Sequence, residues 1–308
     1  MLERPRLAVS LGRLRLKNPV LLASGVFGYG DEFWGLADYG ELGGLTLKTI
    51  TREPWPGNPP AARTVETPAG LVNSIGLENV GLKAFLKDKL TLARRHRTRL
   101  IASIAGERVS EFAELAAALD EAKGLSALEL NISCPNVERG GMSFGAEPKQ
   151  AARVVAAVRK AARLPVIAKL TPNVGDISEV ARACEEAGAD ALSLVNTISA
   201  LVIDVKTRRP LLGGNFGGLS GPAIRPAAVL RVYQVARAVK IPVIGMGGIW
   251  CGNDALEFLI AGASAVAVGT ALFADPQAGH RVLSEIEAFL REEGIADIRQ
   301  LIGSLKLN

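Results

Sequence analysis

Apolar, β-branched runs return along this chain at intervals that leave room for about one helix each, and that rhythm limits the folds open to it. The runs lie at 19–24 (PVLLAS), 43–50 (GGLTLKTI), 99–105 (RLIASIA) and 127–132 (ALELNI). Four more follow at 165–171 (PVIAKLT), 191–197 (ALSLVNT), 242–248 (PVIGMGG) and 265–270 (AVAVGT). Helical periodicity fills 109–123, 148–162, 176–187, 225–239, 253–261 and 276–292. Pro165 and Pro242 open strands, where a missing N–H does least harm. Gly188 and Gly262 follow helices as C-caps.

The strands are continuously apolar rather than alternating, as in a parallel sheet covered on both faces. Eight strands, each followed by helix, predict an α/β fold, a (β/α)8 TIM barrel, as one domain over residues 1–308. A doubly wound sheet is the alternative. It needs a phosphate-binding glycine loop after the first strand, and Gly25-Val26-Phe27-Gly28-Tyr29-Gly30 lacks the GxGxxG order. Residues 5–17 (PRLAVSLGRLRLK) read as a β-hairpin with a turn near Gly12, covering the bottom of the barrel. Two long loops, 51–80 after strand two and 198–222 after strand six, are of the kind that encloses ligands.

Composition closes off other classes. With 48% hydrophobic and 22% charged residues, the chain sustains a large core. The net charge of +5 is spread out, apart from Arg94-Arg95-His96-Arg97-Thr98-Arg99. That cluster reads as a solvated basic turn; nucleic-acid binding wants a broader patch with interleaved aromatics. Cys134, Cys184 and Cys251 have no CxxC spacing, which argues against a disulfide framework, a zinc site or an iron–sulfur cluster on this chain and fits a reducing compartment. The N-terminus has no long apolar run, so neither a signal peptide nor a membrane helix is expected.

In such a barrel the active site gathers at the C-terminal ends of the strands. Those ends carry Ser24, then Lys48 and Thr49, Ser103, Asn131 with Cys134 beyond it, Lys169, Asn196 and Thr197, Gly247 and Gly248, and finally Gly269 and Thr270. The last glycines, with Gly221, can bring backbone N–H groups to a phosphate. Lys48 and Lys169 point into the mouth and need partners, either Glu129 or an anionic ligand such as the N1/C2=O edge of a flavin. The two histidines, His96 and His280, read as surface residues away from the mouth. That leaves Cys134 for acid–base chemistry, since a thiol titrates near neutrality when tuned. Its bland alternative is a small buried hydrophobe, the reading given to Cys184 and Cys251. Asn73, Asn131, Asn136 and Asn196 suit a ligand with several amide edges, such as a reduced pyrimidine.

The stretches LLASGVFGYG, LTLKTIT, NSIGLEN, ELNISCPN, IAKLTPN, SLVNT, GGLSGPAI, IGMGGI and AVGTALF occur in this order over essentially the whole chain. Together they resemble the catalytic subunit of the class 1 dihydroorotate dehydrogenases. NSIGLEN and VIDVKTRRPLL, with GGLSGPAIRP, look like subtype 1B. The resemblance implies a cytoplasmic enzyme of de novo pyrimidine (UMP) synthesis that oxidises (S)-dihydroorotate to orotate. It implies FMN on this chain, a homodimer, and a heterotetramer with a subunit that carries FAD and a 2Fe-2S cluster and passes electrons to NAD. FMN would contact Ser24, Lys48, Thr49, Ser103, Asn131, Lys169 and Val195, and its phosphate Gly221, Gly247, Gly248, Gly269 and Thr270. Dihydroorotate would contact Lys48, Asn73, Ser74, Ile75, Gly76, Leu77, Asn131, Asn196 and Thr197. Cys134 would take the C5 proton while hydride leaves C6 for FMN N5, with Lys48 meeting the developing charge.

The pattern has departures. Ser103 stands where many relatives have asparagine, Glu78 and Val80 replace glutamine and proline, and Ser199-Ala200-Leu201-Val202 replaces a run richer in glycine and methionine. The rival readings are the fumarate-linked subtype 1A and a dihydrouracil- or dihydrothymine-oxidising relative. More distant ones are a non-catalytic flavin-binding protein and a barrel lyase using Lys48 or Lys169 as a Schiff base.

Overall fold

The computed structural model describes residues 4–32, 35–59, 62–133, 135–136 and 142–308. Eight parallel strands close into a barrel: β1 (Val20–Leu22), β2 (Gly44–Ile50), β3 (Arg99–Ile104), β4 (Leu125–Asn131), β5 (Val166–Lys169), β6 (Ala191–Leu194), β7 (Val243–Met246) and β8 (Ala265–Val268). Each pairs with the next in chain order, and β8 returns to β1 through Val266–Val20, Ala267–Leu21 and Val268–Leu22. Every residue of β1, β5, β6, β7 and β8 is buried, as strands covered on both faces require.

Helices Val109–Asp120, Pro148–Ala161, Ile177–Glu186, Arg225–Ala238, Gly252–Ala261 and Ala278–Glu292 surround the barrel. Pro148 starts its helix at a position where no N–H is needed. The Asp176 side chain accepts from Ser178 N, and Gly262 ends its helix in the left-handed region. A helical run, Gly81–Ala84, Phe85–Lys89 as a π turn and Leu90–Ala93, precedes the basic cluster.

Two expectations change. Among the described residues no α-helix follows β1; the connection to β2 holds only the 3-10 turn Tyr39–Glu41. Gly25, Gly28, Gly30 and Gly35 have positive φ there, which a right-handed helix excludes. His96 is not a surface residue. It is 6% exposed, its Nε2 lies 2.9 Å from the Gly30 carbonyl, and its ring meets Phe27 and Tyr39 edge-on. The β1–β2 connection folds over it. His280 is half-buried, with Nε2 2.8 Å from the Asp38 carbonyl.

Strands Val9–Leu11 and Leu14–Leu16 form the expected hairpin. Its turn residue Gly12 has φ +57°, and a Cβ there would fall 2.8 Å from the Asp190 carbonyl. Asp190 precedes β6, so the hairpin sits at the N-terminal end of the barrel, opposite the mouth. The Asp190 carboxylate accepts from Arg13 at 3.0 Å, Arg159 at 2.8 Å and the N–H of Val166 at 2.9 Å. It joins hairpin, helix and β5.

The two long loops do not stay separate. Thr64–Thr67 and Gly70–Asn73 from the first, with Ile198–Ala200 and Gly217–Ser220 from the second, build a four-stranded antiparallel sheet. Its seam pairs Asn73 with Gly218, Val72 with Leu219 and Leu71 with Ser220. Among the described residues no helix is long and apolar enough to cross a membrane.

Asp190→Ala leaves Arg159 and the Val166 N–H without their acceptor. It is expected to cost about 1–3 kcal/mol, read as a lower urea midpoint, with Asp190→Asn recovering part of the loss.

Candidate active site

The C-terminal ends of the strands open into a cavity of about 740 Å3. Of the site residues expected from the sequence, Ser24, Lys48, Thr49, Asn131, Lys169, Val195, Asn196, Thr197, Gly247, Gly248, Gly269 and Thr270 line it from the barrel. Asn73, Ser74, Ile75, Gly76, Leu77 and Gly221 line it from the covering segments. Ser103 does not line it: fully buried, its Oγ lies 2.8 Å from Thr49 Oγ1 and supports that side chain from behind. Asparagine is larger, so the departure to serine turns an expected ligand contact into a wall contact. Cys134 lies outside the described residues, as does the side chain of Asn136. Ser133, the residue before Cys134 in the chain, lines the cavity.

The two lysines have different surroundings. Lys169 Nζ sits 3.9 Å from Glu129 Oε1 and donates to Ser24 Oγ at 3.3 Å. Ser24 in turn donates to Glu129 Oε1 at 3.3 Å, and Ser193 donates to Oε2 at 2.9 Å. Lys48 forms no ion pair with a carboxylate among the described residues. Burial holds its pKa below the usual lysine value, although the charges of Glu78 and Glu32 act against that, while Arg63 adds to it. Its backbone N–H donates to the Gly28 carbonyl at 2.8 Å, tying β2 to the connection that replaces the first helix.

The carboxamides face the same space. Asn196 Nδ2 donates to Ser133 Oγ at 3.0 Å, while its Oδ1 accepts from Thr197 N at 2.9 Å. Asn73 Nδ2 donates to the Gly218 carbonyl at 3.2 Å across the lid seam. Loop 74–78 is held from outside: Asn58 Nδ2 donates to the Ser74 carbonyl and to Ser74 Oγ, at 2.9 and 2.8 Å. Arg63 pairs with Glu78 at 2.8 Å.

The glycines at the mouth differ in what a side chain would meet. Gly248 has φ +84°, and a Cβ there would lie 2.8 Å from the Gly221 carbonyl, so the backbone itself demands glycine. At Gly269 a Cβ would meet nothing closer than 3.5 Å, but the backbone, at φ −123° and ψ −103°, lies outside the regions that residues with a side chain ordinarily adopt. Both glycines line the cavity.

Of the other cysteines, Cys184 fits the reading of a small buried hydrophobe, whereas Cys251 is half-buried and its side chain caps a helix. Cys184 is fully buried, and burial pushes its thiol up to about 12. Cys251 N-caps helix Gly252–Ala261, where Asp254 accepts from its N–H at 3.0 Å. Sequence reasoning missed Ser133, Ser220, Trp250 and Phe273, all of which line the cavity. Reading a few residues past the ends of β4, β7 and β8 would have found Ser133, Trp250 and Phe273, whereas Ser220 lies in the long loop after β6.

Residues 6–290 match the sequence profile described as dihydroorotate dehydrogenase. The chain belongs to the dihydroorotate dehydrogenase family. It is 56% identical over 297 residues to the dihydroorotate dehydrogenase B (NAD(+)) catalytic subunit of Desulforudis audaxviator, covering 96% of each chain. It is 51% identical over 306 residues to the protein of the same name from Geobacter metallireducens, covering 99% of this chain and 100% of that one. A relative from Solibacter usitatus is 52% identical over 302 residues, covering 98% of this chain and 99% of its own, and is provisionally named dihydroorotate dehydrogenase A (fumarate).

Denaturant melts test the backbone demand at Gly248. Gly248→Ala should destabilise the fold by more than about 1 kcal/mol.

Proposed function

We propose that residues 1–308 form one FMN-binding domain that oxidises (S)-dihydroorotate to orotate in cytoplasmic de novo pyrimidine synthesis. The observation that carries the reading is one cavity joining Lys48 and Lys169, the carboxamides of Asn73, Asn131 and Asn196, and a bare glycine surface. Among its described lining residues the only carboxylate is Glu78 and there is no histidine. Such a lining favours an anionic ligand with amide edges and leaves base chemistry to a thiol.

The residues fit FMN. Gly221, Gly247, Gly248, Gly269 and Thr270 would hold its phosphate, and their shared place in the cavity lining supports that assignment. Ser24, Thr49, Asn131, Lys169 and Val195 would hold the ring system. When bound, FMN supplies the acceptor for a hydride.

The chain's own residues do the rest. Cys134 takes the proton from C5 of dihydroorotate. Asn73, Asn131, Asn196 and Thr197 hold the amide edges and carboxylate of the substrate, under the loop Ser74-Ile75-Gly76-Leu77. Lys48 supplies positive charge where negative charge develops. The relatives' names, which read catalytic subunit and NAD(+), support a partner subunit and NAD as acceptor; we assign FAD and a 2Fe-2S cluster to that partner, in a heterotetramer built on a homodimer. The name of the Solibacter usitatus relative supports a second reading, in which fumarate is the acceptor.

Anaerobic addition of dihydroorotate to the purified chain should bleach the visible flavin absorption. A flavin that stays oxidised would remove dihydroorotate as substrate. Reoxidation by fumarate alone would select the second acceptor. Cys134→Ser should bind FMN and orotate normally but slow flavin reduction about 100-fold or more at neutral pH, recovering as pH rises. Unchanged reduction would remove Cys134 from its role.

A further inference from the structure

Glu129 is a buried carboxylate that holds Ser24 and faces Lys169, two residues lining the cavity, without lining it itself. It is 2% exposed, and three strand ends converge on it: Ser24 after β1, Lys169 at the end of β5 and Ser193 in β6. Both of its oxygens are occupied. Oε2 accepts from Ser193, while Oε1 accepts from Ser24 and faces Lys169 at the longer distance of 3.9 Å. The ammonium of Lys169 therefore lies between a fixed anion below and the cavity above. Its three N–H groups are not used up by Ser24.

We propose that Glu129 is a positioning residue that holds Lys169 at the cavity floor and offsets its charge, and so sets how strongly the cavity favours an anionic over a neutral form of its cofactor. The inference rests on the flavin reading above. A buried ammonium and carboxylate present a dipole, with its positive end toward the cavity, instead of a full positive charge. Removing the carboxylate leaves that charge uncompensated in a poorly screened place. A reduced flavin carries negative charge at its N1/C2=O edge and the oxidised one does not. Losing the Glu129 charge therefore tightens binding of the reduced form more than that of the oxidised form. Ser193 holds the carboxylate but carries no charge, so it separates shape from electrostatics.

The test is the midpoint potential of the FMN-loaded protein, titrated anaerobically with dithionite against a reference dye. Glu129→Gln keeps the size and loses the charge. It should favour the reduced form by about tenfold, a potential about 30 mV more positive for a two-electron couple. Ser193→Ala should move the potential by less than a third of that. An unchanged potential in Glu129→Gln, or an equal shift in Ser193→Ala, overturns the proposal. Should Glu129→Gln fail to fold, Glu129→Asp withdraws the charge by one methylene and should give a smaller positive shift; no shift there overturns it equally. Dithionite makes the readout independent of substrate. Protein that takes up FMN but is not reduced by dihydroorotate would end the proposed function and still report on Glu129, whereas a chain that takes up no FMN ends both.

Discussion

Everything at the mouth depends on closure of the sheet, the pairing of β8 with β1. An open parallel sheet would leave two edges with unsatisfied backbone groups and would spread its strand ends along a line. Closed, it places the ends of β1, β2, β4, β5, β6, β7 and β8 around one space. Val20, Leu21 and Leu22 face Val266, Ala267 and Val268, all buried, so closure rests on apolar packing. That packing lets the strand ends carry polar residues of no use to the core.

Much of this was legible in the residues. Continuous apolar runs set off by Pro165, Pro242, Gly188 and Gly262 mark strands and helix ends through purely local rules. Seven of the eight barrel strands fall within the expected segments, with shorter bounds, and β4 begins two residues before its own. The hairpin turn at Gly12 is local too. What local rules cannot carry is partner choice. The antiparallel seam between the loops joins Asn73 to Gly218, 145 positions away, and neither segment announces the other. The missing first helix and the burial of His96 are one misreading. A basic cluster looks solvated until a glycine-rich connection is seen to cover its histidine.

The site shows the same limit on a finer scale. Strand ends could be read off by position, which is why so many expected residues share one cavity. Their roles divide by surroundings that position does not reveal. Lys48 and Lys169 are the same residue type at equivalent ends of two strands. One is left to burial, the other rests on a carboxylate two positions before Asn131. Ser103 occupies a strand end as well, yet serves Thr49 rather than the cavity.

The lid seam also carries a consequence for the order of assembly. Its hydrogen bonds close a very long stretch of chain, and such contacts form only after the intervening structure has brought their ends together. The floor of the cavity waits for β8, and the roof waits for residues 217–220 to meet 70–73. A nascent chain therefore carries neither part of the pocket until most of its length has emerged. Ligand can reward only the finished molecule, never a partly made one.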